Sequence, residues 1–170
     1  MAGERARAQN GGVITIRVAT VDDVAELAAL TLVVHAVHTP HRPDLFVAAP
    51  SAVGLEALLL SQLAMPELTF LLAQDAAGRP LGYALAEIAE RSGSALILAD
   101  TVVSLRQIAV DPNAGGGGVG SALLEEVRAL GRAAGCRRLV TQVWDFNEDA
   151  HAFYRKSGLR PMTSALDQEL

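Results

Sequence analysis

Hydrophobic and polar positions change period along the chain so as to predict an alternation of strands and helices. Residues 13–19 alternate and are β-branched, which predicts a first strand. Thr20-Val21-Asp22-Asp23 then has the form of a capping box, and Leu27, Ala28, Thr31, Val34, His35 and His38 share one face of the helix it opens. A second helix follows Ser51, with Leu55, Leu58, Leu59, Gln62 and Leu63 at helical spacing and Pro66 beyond its end. Residues 68–74 and 80–90 read as strands joined by the short polar turn Asp75-Ala76-Ala77-Gly78, and so as an antiparallel pair. Residues 95–110 are long for one strand, and Asp100-Thr101 marks a bend within them.

The chain then runs strand, glycine loop, helix. Asp111-Pro112-Asn113 breaks the apolar run, four consecutive glycines follow from Gly115 to Gly118, and helical spacing resumes with Leu123, Val127 and Leu130. Gly135 stops that helix before a strand over residues 138–144. Strand, helix and strand in this order imply a right-handed crossover and parallel neighbours. Asn147 is placed to cap a helix bearing Ala150, Phe153, Tyr154 and Ser157, which Gly158 ends, and residues 159–166 read as a last strand.

A glycine-rich junction ahead of a helix suits an anion, because bare backbone approaches a ligand closely and the first-turn N–H groups lack partners. Of two familiar phosphate loops, one requires a Lys and a Ser or Thr after its last glycine, and this chain has Val119 after Gly118 and Ser121-Ala122 after Gly120. The other, GxGxxG, is present as Gly115, Gly117 and Gly120, with Asp145 at the end of a later strand. It fits poorly, because a turn separates the glycines from the strand and few residues remain for further strand–helix units.

At 170 residues with 51% hydrophobic side chains, the chain is expected to form one soluble domain over residues 13–170, preceded by a polar, disordered tail over residues 1–12. Net charge is −5 with no basic stripe, so nucleic acid is not an expected partner and a cationic small molecule is mildly favoured. No apolar run is long enough for a membrane span, and the first residues lack the apolar segment of a signal peptide. Cys136 is the only cysteine, which suits a reducing, cytoplasmic setting; Arg137 and Arg138 beside it favour a lowered thiol pKa, though the expected role is that of a spectator. His35, His38 and His41 stand three apart, but Pro40 and Pro43 break the helix near His41, so no metal is expected and the readings are a cap, a half-buried histidine or a lining for an acceptor pocket.

The order of elements, with Ile108-Ala109-Val110-Asp111-Pro112 leading to Gly118 and Gly120, and with Asn147, Ala150, Tyr154 and Gly158 in the second motif, resembles the GNAT superfamily of N-acetyltransferases over nearly all of residues 13–170. The resemblance implies an α/β fold with a mixed, mostly antiparallel central sheet, splayed between its fourth and fifth strands and flanked by about four helices. It implies acetyl-CoA as cosubstrate. The pantetheine arm would lie in the splay along Ile108, Ala109 and Val110, and backbone N–H groups of Gly116, Gly117, Gly118, Val119, Gly120 and Ser121 would hold the pyrophosphate. Asn147 would touch the cofactor arm, and Tyr154 would protonate the departing thiolate.

Four positions depart from the family pattern. Gly115 stands where Gln or Arg is usual, Leu159 follows Gly158 in place of Phe, and Ser104 and Gln142 take the places of carboxylates that serve relatives as bases, with Arg106 nearby. The nearest strand carboxylate is Glu87, the one side-chain candidate for the base, its facing open; the expectation is that a water chain, or deprotonation of the acceptor in bulk, does the base's work. The expectation is an acetyltransferase acting on a small-molecule or peptide amine by direct attack in a ternary complex, in a family where homodimers are common. A CoA-binding sensor or assembly module without turnover is the alternative, favoured by Gly115 and the missing acids, and a nucleotide-binding domain built on GxGxxG comes third.

Overall fold

The computed structural model describes residues 5–9, 12–114 and 116–168. Its elements are β1 (Arg5–Gln9), β2 (Gly12–Val18), α1 (Val24–His38), α2 (Ala52–Leu63), β3 (Leu68–Gln74), β4 (Pro80–Arg91), β5 (Asp100–Val110), α3 (Val119–Ala133), β6 (Arg138–Thr141) and α4 (Glu148–Lys156). The strands form one sheet in sequence order, antiparallel throughout except for the parallel pair β5–β6. A mixed, mostly antiparallel sheet with four helices is the expected architecture. Counted with β1, the expected fourth and fifth strands are β5 and β6.

Alternation along the central strands sends side chains to two cores. On one face Leu123, Leu124 and Val127 of α3 pack with Ile14, Ala84 and Leu105, and Phe153 and Tyr154 of α4 join the edge of that cluster. On the other, Leu27 and Leu30 of α1 and Leu59 of α2 cover Phe70, Leu72 and Tyr83. Tyr83 is fully buried in this second core, its hydroxyl 2.9 Å from that of Thr31. With both faces covered, β4 and β5 are the fixed centre against which β6 and the loops are set. Among the described residues no helix is long and apolar enough to cross a membrane.

Three segments differ from the sequence reading. Within residues 1–12, expected as a disordered tail, Arg5–Gln9 forms β1, in register with β2 from Arg5↔Ile16 to Gln9↔Gly12. It gives β2 backbone partners that it would otherwise lack, and the overlooked signal is the dipeptide Asn10-Gly11, favoured between hairpin strands. The strand expected over 138–144 stops at Thr141. Residues 159–166 form no strand: Met162 is 60% and Leu166 96% exposed, so nothing is gained by laying them on the sheet, and Pro161 has no N–H for a ladder. The long β5 begins at Asp100 because Ser94 closes a turn ahead of it, its Oγ accepting from the N–H groups of Leu96 and Ile97.

One buried acid ties the first elements together. Asp23, at the head of α1, accepts from Arg17 Nη1 at 2.8 Å and Nη2 at 2.6 Å and from the Thr20 N–H at 2.7 Å, while Arg17 Nε donates to Gln74 on β3. These bonds, the one from Arg17 foremost, hold the Asp23 pKa down at about 2 against the opposing effect of burial. A depressed acid stabilises the fold above its unfolded value near 3.8 and loses that contribution as pH falls towards 2. Asp23→Asn should therefore cost about 1–2 kcal/mol at pH 7, allowing for solvent screening of the partly exposed Arg17. In urea denaturation the gap from the parent should narrow steadily between pH 5 and pH 2; a gap that stays constant with pH would show that the ion pair contributes nothing.

Candidate active site

The site begins where the sheet comes apart. β5 and β6 pair from Val102↔Arg138 to Leu105↔Thr141, whereas β5 continues along β4 to Gly82↔Val110. From Arg106 to Val110, then, β5 has no strand partner on its β6 side among the described residues. Two details end the pairing. Leu85 faces Gln107 and Ala86 faces Leu105, so Arg106 is the extra residue of a β-bulge, a device that bends a strand and re-aims its side chain. Across the gap the Thr141 hydroxyl donates to the Leu105 carbonyl at 2.9 Å, so a side chain makes the last link. Ala109 is buried in the α1 face and Ile108 and Val110 pack towards α3, so these three offer the gap their backbone.

At the open end of the gap lies the glycine loop. After β5 the Asp111 N–H donates to the Leu81 carbonyl at 2.8 Å, and Asp111 Oδ1 accepts from the Asn113 N–H at 2.9 Å, shaping a short turn over Pro112–Ala114. Gly118 caps α3 at φ 76°, and Gly116 has φ 80°, values that L side chains adopt only with strain. The first helical bond runs from the Ala122 N–H to the Gly118 carbonyl, so the N–H groups of Val119, Gly120 and Ser121 have no acceptor within α3. A Cβ on Gly120 would meet the Phe153 ring at 3.4 Å, and this close contact joins the start of α3 to α4. The departure at Gly115 lies outside the described residues.

At the closed end stands Tyr154. Asn147 caps α4, its Oδ1 accepting from the Ala150 N–H at 3.1 Å, which leaves the Nδ2 donors for any ligand. Two turns on from Asn147, Tyr154 lies beside Thr141, next to the last registered pair of β5 and β6. Burial pushes its phenol above the ordinary value against the opposing effect of Thr141, so Tyr154 is neutral at physiological pH.

The face of Glu87 follows from alternation: with Tyr83 and Leu85 it belongs to the α1 and α2 side of β4. It lies opposite Ser104 in register, and Arg106 Nη1 is 3.5 Å from Glu87 Oε2. The acid that the sequence lacks at Ser104 is thus present one strand over. Gln142 is exposed beyond the end of β6.

A pile of rings formed by the segments after α1 and after β6 escaped the sequence reading. Trp144 and Phe146, between β6 and α4, stack at 5.9 Å; His41 stacks on Phe146 at 4.3 Å, and His38 on Phe46 at 5.1 Å. Arg42 lies over the Trp144 ring and pairs with Asp44 and Asp167. The only sequence signal is that the single tryptophan and two of four phenylalanines fall in the two loops, with three of four histidines in or just after the last turn of α1. Of the three histidines set apart earlier, His35 Nε2 lies 2.6 Å from the Val47 carbonyl and His41 Nδ1 3.1 Å from that of Val37, while burial pushes the His38 pKa down. No group of three metal-binding side chains converges among the described residues. The Cys136 thiol is pushed up by burial and by Asp100, the reverse of the lowering expected from its arginine neighbours.

Residues 35–159 match the model of the acetyltransferase (GNAT) family. No curated protein sequence matches the chain. Among solved structures, a mutant of the BH1408 protein of Bacillus halodurans is 26% identical, with 91% of this chain and 98% of that one covered at a TM-score of 0.86. The aminoglycoside N-acetyltransferase AAC(6')-Iy in complex with CoA is 20% identical, with 96% and 97% covered at a TM-score of 0.72. The same enzyme with a bisubstrate analogue, CoA-S-monomethyl-acetylneamine, is 21% identical over 92% and 97% at 0.70.

The electrostatics of Tyr154 can be read directly. In ultraviolet titration, the difference between the parent and Tyr154→Phe should show a tyrosinate transition above pH 10, since burial raises this phenol from its ordinary 10.0. A transition below pH 10 would mean that Tyr154 is not held in its neutral form.

Proposed function

Because the chain belongs to the acetyltransferase (GNAT) family, we propose that it transfers an acetyl group from acetyl-CoA to a primary amine by direct attack in a ternary complex. The observation that carries this reading is the parting of β5 from β6, with a helix N-terminus at one end and a neutral phenol at the other. The residues fit such a cosubstrate. An extended amide chain finds unpaired strand backbone from Arg106 to Val110, and a pyrophosphate finds glycine backbone and the first-turn N–H groups of Val119, Gly120 and Ser121 at the positive end of the α3 dipole. Acetyl-CoA supplies an acetyl group already activated as a thioester.

The chain's own residues then do three things. The backbone of Ile108, Ala109 and Val110 with that of Gly116, Gly117 and Gly118 holds the cosubstrate, and the Asn147 amide adds a donor beside it. Glu87 faces the incoming amine and takes its proton, directly or through one water, as the C–N bond forms. Tyr154 Oη–H gives its proton to the sulfur as the C–S bond breaks, and regains one from solvent. A base on β4 takes over the task that Ser104 and Gln142 cannot perform. The ring pile of Phe46, Trp144 and Phe146 forms a wall for the acceptor.

Calorimetry with acetyl-CoA, followed by thiol release over an amine panel, tests the whole reading. Gly118→Asp should weaken acetyl-CoA roughly tenfold or more, because it sets a carboxylate and a strained Cβ at the helix N-terminus. Unchanged affinity in the folded variant would move the cosubstrate elsewhere. CoA binding without thiol release across the panel would favour a CoA-binding sensor. Tyr154→Phe should lower kcat roughly 10²-fold with acetyl-CoA affinity retained. Glu87→Gln should lower kcat/KM by a similar factor; a variant that matches the parent, with kcat/KM climbing towards the amine's own pKa, would hand the proton to solvent.

A further inference from the structure

Arg106 is the extra residue of the β5 bulge, at the point where the gap opens. Its side chain is 59% exposed, and its one ion pair among the described residues is the 3.5 Å approach of Nη1 to Glu87. Compare Arg42, whose guanidinium makes four hydrogen bonds to Asp44 and Asp167, or Arg17, clasped by Asp23 and Gln74. Those arginines have their forks filled. Arg106 forms no hydrogen bond among the described residues, although a guanidinium presents five donors in a plane that matches a carboxylate two by two. An unfilled fork beside a candidate base also bears on what can bind there. A bare ammonium approaching Glu87 meets the positive charge of Arg106, whereas a group that is anionic at one end and ammonium at the other meets the opposite charge at both.

We propose that the acceptor is a zwitterion, an amino acid or a closely similar amine with a carboxylate a bond or two from the nitrogen, its carboxylate held in the fork of Arg106 and its ammonium facing Glu87. The inference rests on the acetyl-transfer reading of this site and names its substrate class. The two side chains stand at the separation the ligand requires, since the charged groups of an α-amino acid are themselves a few ångströms apart. Arg106 keeps its orientation because the bulge takes it out of the regular alternation and Glu87 steadies it from the neighbouring strand. Arg106 is thus a specificity-determining residue: it selects the acceptor by the charge next to the amine, and the net charge of −5, which would favour polycations, is locally balanced at the gap by Arg106 opposite Glu87.

The test compares each common amino acid with its own amide, which keeps the amine and side chain and removes the carboxylate charge. Thiol release should give a kcat/KM at least tenfold higher for the acid in the best pair, and in Arg106→Gln the two values should converge to within threefold, through KM rather than kcat. Arg106→Lys should retain part of the preference. As a readout independent of turnover, calorimetry of the best acid with the CoA-bound protein should show binding weakened tenfold or more in Arg106→Gln, with a thermal unfolding midpoint matching the parent as the check on folding. Amides that equal or exceed their acids, a preference that survives Arg106→Gln, or turnover with simple amines but with no amino acid would each overturn the assignment. Failure to bind acetyl-CoA at all would instead remove the acetyl-transfer reading beneath it.

Discussion

Everything at the site depends on a sheet that stops hydrogen-bonding before its strands end. Only four registered pairs hold β6 to β5, and beyond Leu105 β6 has ended while β4 stays with β5 for its whole length. Backbone N–H and C=O groups removed from both water and a partner are costly, so such an edge is stable only while something polar reaches it. The bulge at Arg106 and the side-chain bond from Thr141 keep the edge from closing on itself. The rest of the fold supplies rigidity, since the cores on either face fix β4 and β5, and whatever enters the gap meets strands that cannot shift to fill it.

On that frame charge is distributed in order along β5. The α3 N-terminus and its glycines lie at the far end, where an anion is favoured. The neutral phenol of Tyr154 stands at the near end, kept protonated by burial. Around the bulge the Glu87–Arg106 pair sets one negative and one positive group on the same face. Each group belongs to a different element, yet all are referred to one strand, so their spacing is fixed by the sheet and not by loops.

Much of this was legible in the sequence, for reasons that differ by residue. Strong periodicity gave the central strands and the helices, and turn chemistry gave Gly135 and Gly158, both at positive φ. The spacing of Asn147, Ala150 and Tyr154 places the cap and the phenol on one short helix, as the structure has them. What escaped depends on contacts between segments far apart. The facing of Glu87 is a matter of register across β3, β4 and β5, which no local window contains. The ring pile joins residues about a hundred positions apart, and helical spacing alone could assign His35 and His38 only to a face. The strand expected at 159–166 shows the opposite error, because local β character does not make a strand without a surface to cover.

The ring pile has a further consequence, for the order in which the molecule assembles. The contacts of His38 and His41 with Trp144 and Phe146, like the pairing of β6 with β5, close long stretches of chain, whereas the β3–β4 and β4–β5 ladders close short ones. Loop-closure entropy delays long-range contacts, so the antiparallel meander forms first and the walls of the gap come together last. Contacts made last over half-exposed rings are also among the first to open under native conditions. In hydrogen exchange the mouth of the gap is then less protected than the central strands.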